Sequence, residues 1–566
     1  MKRYMMCVWV LLLAGTLASC GGGGDSGSPS GGITPTPTPT RTTPTPTFTP
    51  TGASTVGAWS APVTLPIVTI HMQALPDGKV LAWSNPRTPP MDGRAPVRLW
   101  DPSAAQPVLE EAANPFGNIY CSAHLLLPDG RVLTMGGHIR DNIGLDASTT
   151  FDPVLRSWTK GPRMNAGRWY PTGTVLGNGE VLVVSGDIDT MVGVNPLPQV
   201  YRPADGTWRD LTSAQLSLKL YPWMHLAPNG KVFMSGPEQI TRYLDTSGTG
   251  QWTTVASTNF GYRGQYQAGS VMYEPGKVLL VGGGTPTTAM AEVIDLNAAT
   301  PRWRLTNPMA FPRKTLNATL LPDGKVLVTG GSSSNIFDDP SQAVFEAEIW
   351  DPATESWSTM ARMKTSRLYH STALLLPDGR VFVSGGGGGG TALGDVAHYD
   401  GEYFSPPYLF QGPRPTIDSA PAGAAHGEQF TVGATDPAGI ASVTLVALSS
   451  TTHEFNMSQR FVRLAFSPAA EPNRFNVSAP DNPNVAPPGH YMMFVLNTNG
   501  VPSVGRMLVL RPVTAANPPP VVNAGQDQTI TLPAFARSAA PVRSPSATPA
   551  RRAHSRSNGI GRAAAT

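Results

Sequence analysis

Three segments of this 566-residue chain align without a gap: Cys121-Ser-Ala-His-Leu-Leu-Leu-Pro-Asp-Gly130, Tyr170-Pro-Thr-Gly-Thr-Val-Leu-Gly-Asn-Gly179 and His370-Ser-Thr-Ala-Leu-Leu-Leu-Pro-Asp-Gly379. Nine residues before each turn glycine stands a thiol, a phenol or an imidazole, and a second phenol, Tyr369, precedes His370. If the segments repeat around an axis, equal phase makes these side chains converge although they are remote in sequence. Two phenols with two imidazoles suit a tetragonal N,O site, which points to Cu(II) more than to zinc or calcium. The repeats supply Tyr170, Tyr369 and His370. A second imidazole must come from elsewhere, and the polar segment Thr451-Thr-His453-Glu-Phe-Asn-Met-Ser-Gln-Arg460 offers His453. The bland alternatives are packing for Tyr369-His370, solvation for His453 and a buried small hydrophobe for Cys121. His225 lies in a repeat too and is a weaker candidate; it reads as structural, as do His71, His124 and His490.

The elements that would position this set are legible as a repeat. Turn glycines recur at Gly78, Gly130, Gly179, Gly230, Gly276, Gly324 and Gly379, a spacing near 50 residues. Asp-Gly or Asn-Gly between apolar runs is a strong hairpin signal, because both turn residues tolerate positive φ. Each turn leads into a run such as Val132-Leu-Thr-Met-Gly-Gly or Val326-Leu-Val-Thr-Gly-Gly. The glycine pairs fit crowding near an axis. A tryptophan stands 19 to 24 residues before most turns, at Trp59, Trp158, Trp208, Trp252, Trp303 and Trp357, and reads as an outer-strand aromatic. Four-stranded units at this period predict an all-β fold, a seven-bladed kelch-type β-propeller over residues 56–411. Such a wheel can equally be a catalytically silent binding platform.

Short alternating strands follow from Pro415 to Pro512, among them Ser442-Val-Thr-Leu-Val-Ala-Leu448 and Tyr491-Met-Met-Phe-Val-Leu496, and predict an immunoglobulin-like sandwich over 412–514. Residues 515–566 open like a PKD module but lack its later strands, and read as a disordered tail. Without six tail arginines and Lys2-Arg3 the formal charge falls by eight, from +3 to −5, so the folded body carries no nucleic-acid footprint.

At the other end, Lys2-Arg3 precede an apolar run from Met5 to Leu17, too short to span a bilayer but suited to a signal peptide over residues 1–20. Leu17-Ala-Ser-Cys20-Gly resembles a bacterial lipoprotein processing site, with an ordinary cleavage site as the alternative. The expected location is therefore the cell surface or outer membrane, or otherwise secretion. Residues 21–55, rich in Gly, Ser, Thr and Pro, read as a disordered tether. Of three cysteines, Cys7 leaves with the signal and Cys20 takes lipid. The mature chain then keeps Cys121 alone, which can form no internal disulfide.

Over about residues 57–512 the chain resembles the copper radical oxidases, the galactose oxidase and glyoxal oxidase family. The resemblance is carried by Cys121, Arg168-Trp169-Tyr170, Arg367-Leu-Tyr369-His370-Ser371, His453-Glu-Phe-Asn-Met-Ser-Gln-Arg460 and the stretch Pro488–Ser503. It implies a monomeric enzyme with one copper and a thioether between Cys121 and the ring of Tyr170, which carries a radical. Tyr170, His370 and His453 would be equatorial ligands and Tyr369 the axial ligand and general base. Dioxygen would be reduced to hydrogen peroxide, and the lipid would be the one membrane contact. The galactose oxidase branch stacks an indole on the thioether from just after the strand that follows the cross-linked tyrosine. Here Val181–Ser185 leads into Gly186-Asp187-Ile188, with no tryptophan. That leans toward the glyoxal oxidase branch, with small aldehydes or simple primary alcohols as substrates. A silent kelch adhesin or glycan-binding module would have no reason to keep all five site residues.

Overall fold

The computed structural model describes residues 52–86, 93–104, 108–387, 394–434 and 439–512. The signal segment with Cys20, the tether as far as Thr51 and the tail from residue 513 lie outside the described residues.

Among the described residues, seven antiparallel sheets of four or more strands follow one another around the wheel, two small hairpins, residues 138–144 and 187–194, project from them, and a two-sheet sandwich comes after. The blades are four-stranded, with burial graded outward. In the second blade Ala123–Leu126 and Val132–Met135 are wholly buried, Ser148–Asp152 nearly so, and the outer Ser157–Lys160 mostly exposed. Continuous apolar runs therefore belong to inner strands covered on both faces, and the polar outer strand meets water. The last blade takes its outer strand from the start of the chain, Ala58 pairing with Ser405 and Trp59 with Phe404. This closes the ring by pairing the start of the chain with its last blade.

The outer tryptophans tie successive blades together. Nε1 of Trp158, Trp208, Trp252 and Trp357 donates to the carbonyl of Ala112, Pro162, Ala214 and Asn307, each just past the preceding blade's outer strand; Trp59 donates to Ala361 at the seam. Trp303 bonds Thr241 Oγ1 instead. The turns differ from the expected two-residue form. Leu127 N–H donates to Arg131 O and Gly130 N–H to Leu127 O, and only the glycine has positive φ, so the loop holds three residues with glycine in the left-handed position. The glycine pairs do mark crowding. A Cβ on Gly136 would lie 2.3 Å from the Arg168 carbonyl of the next blade, and one on Gly330 2.2 Å from that of Arg367.

The sandwich pairs a four-stranded sheet with a five-stranded one. Its strand Gly489–Asn497 is buried on both faces, with different partners on each. Tyr491, Met493 and Val495 point into the sandwich core, whereas Met492, Phe494 and Leu496 join the apolar core of the propeller. Between two strands of the five-stranded sheet, Ile440–Ala447 and Phe461–Leu464, the chain makes an excursion. Ser450–Thr452 and Phe455–Asn456 form a hairpin that pairs with His71–Gln73, the innermost strand of the first blade. The sandwich thus contributes two strands to a propeller sheet.

Candidate active site

The shared phase seen in the sequence is a shared backbone conformation. Cys121, Tyr170, Tyr221, Tyr266, Thr315 and His370 all have φ between 43 and 71° and stand at the start of the innermost strand of six consecutive blades. Left-handed geometry costs a non-glycine residue about 1–2 kcal/mol. Bonds between blades hold it in place: Tyr170 N–H donates to Cys121 O at 3.0 Å and Tyr221 N–H to Tyr170 O at 2.9 Å. His453 arrives on the hairpin from the sandwich. With Glu454 it forms a two-residue turn, φ 46 and 65°, the type I′ conformation usually made by Asn-Gly.

These elements gather the five residues singled out by sequence. Tyr170 Oη lies 2.6 Å from Tyr369 Oη and 2.9 Å from His453 Nε2. The His370 ring is 3.8 Å, centroid to centroid, from that of Tyr369 and 4.8 Å from that of His453. Cys121 is fully buried with its thiol against the Tyr170 and Tyr120 side chains. His370 Nδ1 donates to Gly387 O at 3.1 Å, so its Nε2 presents a lone pair inward. His453 Nδ1 is hydrogen-bonded to Thr452 Oγ1 at 2.6 Å, leaving Nε2 toward Tyr170. Outer nitrogens tied to the surrounding protein and inner ones aimed into the cluster are what metal-ligating histidines show.

The electrostatics agree with a cation site. Burial lowers the His370 pKa to about 4, and burial with the neighbouring His370 and His124 rings pushes His453 far below its usual value. Both imidazoles are therefore neutral at pH 7 and able to donate. Burial raises the Tyr170 and Tyr369 phenols well above 10, so in this pocket their phenolates need a nearby positive charge. No group of three or more His, Cys, Asp and Glu is disposed for a metal among the described residues. A metal held here must use phenol oxygen, and two imidazoles with two phenols match the preference of Cu(II).

The arginines of the Arg-x-Tyr motifs act as anchors. Arg168 donates to Ser185 O at 2.8 Å, and Arg367 to Gly385 O at 2.9 Å and to Asp400. They clamp the entries carrying Tyr170 and His370 to their own blades. Arg168 has no carboxylate partner among its hydrogen bonds, and burial lowers its pKa to about 9. His225 bonds Ser270 Oγ at 2.8 Å, and His124 Nε2 donates to Met72 O at 3.2 Å. His490 is half-buried beside the Gly130 turn. His71 stacks on Trp83, and its Nε2 accepts the Cys121 N–H at 3.1 Å, so it supports the backbone that aims the thiol.

Four neighbours escaped the sequence reading. The Trp169 indole stacks on the Tyr170 ring at 3.8 Å with 10° between planes, its Nε1 donating to His138 Nδ1. An indole therefore covers the phenol from the residue just before it, although none follows the next strand. Tyr221 also stacks against Tyr170, at 4.7 Å. Tyr120 puts its hydroxyl 3.2 Å from His370 Nε2. Glu454 is buried near the His370 backbone N–H, and burial, with Asp338 close by, raises its pKa well above the usual range. The signal for Tyr120 and Trp169 was present: each stands one residue before the shared phase, as Tyr369 does.

Residues 414–510 match the family model described as galactose oxidase-like, early set domain, and residues 269–403 match that of the glyoxal oxidase N-terminus. The aldehyde oxidase GLOX of Vitis pseudoreticulata is 31% identical over 450 residues, which span 69% of this chain and 82% of the relative. A galactose oxidase of Gibberella zeae is 29% identical over 489 residues, 79% of this chain and 70% of that protein. Among solved structures, a fungal alcohol oxidase with catalytic diversity among the AA5 family, in complex with copper, superposes with a TM-score of 0.72 at 27% identity. It covers 80% of this chain and 99% of that one.

Proposed function

The chain belongs to the galactose oxidase/glyoxal oxidase family of copper-dependent oxidases, and on that premise we propose that it oxidises small aldehydes or simple primary alcohols with dioxygen, releasing hydrogen peroxide. The observation that carries the reading is the buried cluster of Tyr170, Tyr369, His370 and His453, with Cys121 against Tyr170. Tyr170, Tyr369, His370 and His453 would together hold copper. Removing two electrons from a substrate requires a second acceptor beside a one-electron metal. Copper bound there would supply one-electron redox chemistry. Tyr170, made easier to oxidise by a thioether from Cys121, holds the other oxidising equivalent and takes the hydrogen from the substrate carbon. Tyr369 accepts the hydroxyl proton as general base. Trp169 and Tyr221, stacked on Tyr170, keep water from the radical ring. Metal analysis with a peroxide assay across aldehydes, primary alcohols and galactose tests this. Copper-free protein, or copper protein that makes no peroxide from any of them, refutes it.

The thioether has its own test. Loading with copper in air should remove two hydrogens from a linked peptide containing Cys121 and Tyr170. A Cys121 that is still freely alkylated in such protein, after unfolding, would exclude the bond.

We further propose that the protein is exported and tethered through lipid on Cys20, on the evidence of the Leu17-Ala-Ser-Cys20 segment. Cys20→Ala should then release it from membranes with peroxide production unchanged. Membrane retention in the variant would contradict the anchor.

A further inference from the structure

The Tyr120 hydroxyl has no assigned work. It sits on the blade that carries Cys121, at the repeat position that Tyr369 occupies one residue before His370, so the fold aims both phenols at the same interior. Tyr120 is buried, and its ring lies 6.0 Å from that of His370 and 6.4 Å from that of His453. Its hydroxyl is 3.2 Å from His370 Nε2, and the thiol of Cys121 and the phenol of Tyr170 are also within its reach. Because His370 Nδ1–H is committed to Gly387 O, Nε2 is an acceptor and Tyr120 is the donor. Nε2 has only one lone pair in the ring plane. Once that pair is given to copper, the Tyr120 hydroxyl must release Nε2 and turn to another acceptor, and a buried hydroxyl left unpaired would cost about 1–3 kcal/mol.

We propose that Tyr120 is a specificity-determining residue that donates a hydrogen bond to the second hydroxyl of a hydrated aldehyde. This rests on the oxidase reading above. A gem-diol carries two hydroxyls on the reacting carbon. One gives up its proton to Tyr369 as the carbon loses its hydrogen. The other needs a partner where water is excluded, and Tyr120 sits beside His370 to provide it. The balance is RCH(OH)2 + O2 → RCOOH + H2O2, two electrons and two protons passing from the diol to dioxygen. A primary alcohol has no second hydroxyl and cannot use the donor. A site built to hydrogen-bond a hydroxyl discriminates strongly against analogues lacking it, because its own polar group is then left unpaired.

The test is Tyr120→Phe, which keeps the ring and removes the hydroxyl. Without a competing hydrogen bond at His370 Nε2, the apo variant should bind Cu(II) about fivefold more tightly, the equivalent of one neutral hydrogen bond. Cross-link formation should be unchanged by mass. With formaldehyde, almost wholly hydrated in water, kcat/KM should fall roughly tenfold or more, while ethanol changes no more than about threefold. Unchanged or weaker copper binding would show that the hydroxyl does not lie on His370 Nε2, and would overturn the inference. So would an equal loss on formaldehyde and ethanol, which would place its action on the Tyr170 phenol instead of the substrate. A wild-type protein that makes no peroxide from these or any other aldehyde or alcohol tested refutes the proposed function and the inference with it, and one that oxidises only other substrates refutes the inference alone. A wild type that oxidises both, with a variant whose aldehyde-to-alcohol ratio is unchanged, refutes the inference alone.

Discussion

Tyr170→Phe should abolish turnover and leave Cys121 alkylatable, whereas Tyr369→Phe should keep the cross-link and slow oxidation by roughly 10²–10⁴-fold, the usual consequence of losing a general base. The two phenols touch, Oη to Oη at 2.6 Å, and burial raises the pKa of both, so neither distance nor acidity separates their roles. Their surroundings do. Tyr170 has the thiol of Cys121 against it, an indole on one contact and a second phenol on another, all groups suited to an oxidised ring. Tyr369 instead lies over the His370 ring at 3.8 Å. In Tyr170→Phe, His370 and His453 remain, so weakened copper binding should persist while the radical absorption vanishes. Peptide mass mapping and a visible spectrum read both variants. A cross-link retained in Tyr170→Phe and absent in Tyr369→Phe would put the radical on the wrong blade.

His453→Asn should lower copper affinity by at least about 10²-fold and bring peroxide production to background. Altering a mere outer-shell partner of a metal ligand costs about 10–100-fold, and losing the ligand itself costs no less. Asparagine tolerates the left-handed backbone of position 453, so the hairpin and its pairing with His71–Gln73 should survive. Copper titration reads the affinity, and circular dichroism with a melting curve checks the fold. Full copper occupancy with normal turnover would remove His453 from the ligand set. The point substitution is cleaner than deleting residues 413–566. Met492, Phe494 and Leu496 share the core of the propeller, so that deletion strips apolar cover from the wheel as well as removing the imidazole.

What could be read in advance was whatever the chain encodes locally. The period of turn glycines, the apolar runs after them and the outer tryptophans each reflect a short-range requirement: a left-handed turn residue, a strand covered on both faces, an indole that finds a carbonyl next door. Counting from those turns brought Cys121, Tyr170 and His370 into one phase, because these blades enter their first strands with the same backbone geometry. The immunoglobulin-like strands were equally plain from their alternation.

Other features depended on what a segment meets once folded. His453 was legible as a candidate ligand, with solvation as the alternative, but its buried turn with Glu454 was not, since neither residue resembles the Asn-Gly that favours such a turn. Their conformation is held by a strand some 380 residues earlier in the chain, to which the hairpin adds itself. The same applies to the indole on Tyr170. A tryptophan beside a ligand can face either way, and it is the bond from Trp169 to His138 on the preceding blade that turns this one onto the phenol. Tyr120 likewise gained meaning only when ring closure brought the seventh blade round beside the first, putting His370 within hydrogen-bond reach of Tyr120 on the second. Periodicity along the chain determines which residues point inward; contacts between distant segments decide what each of them touches there.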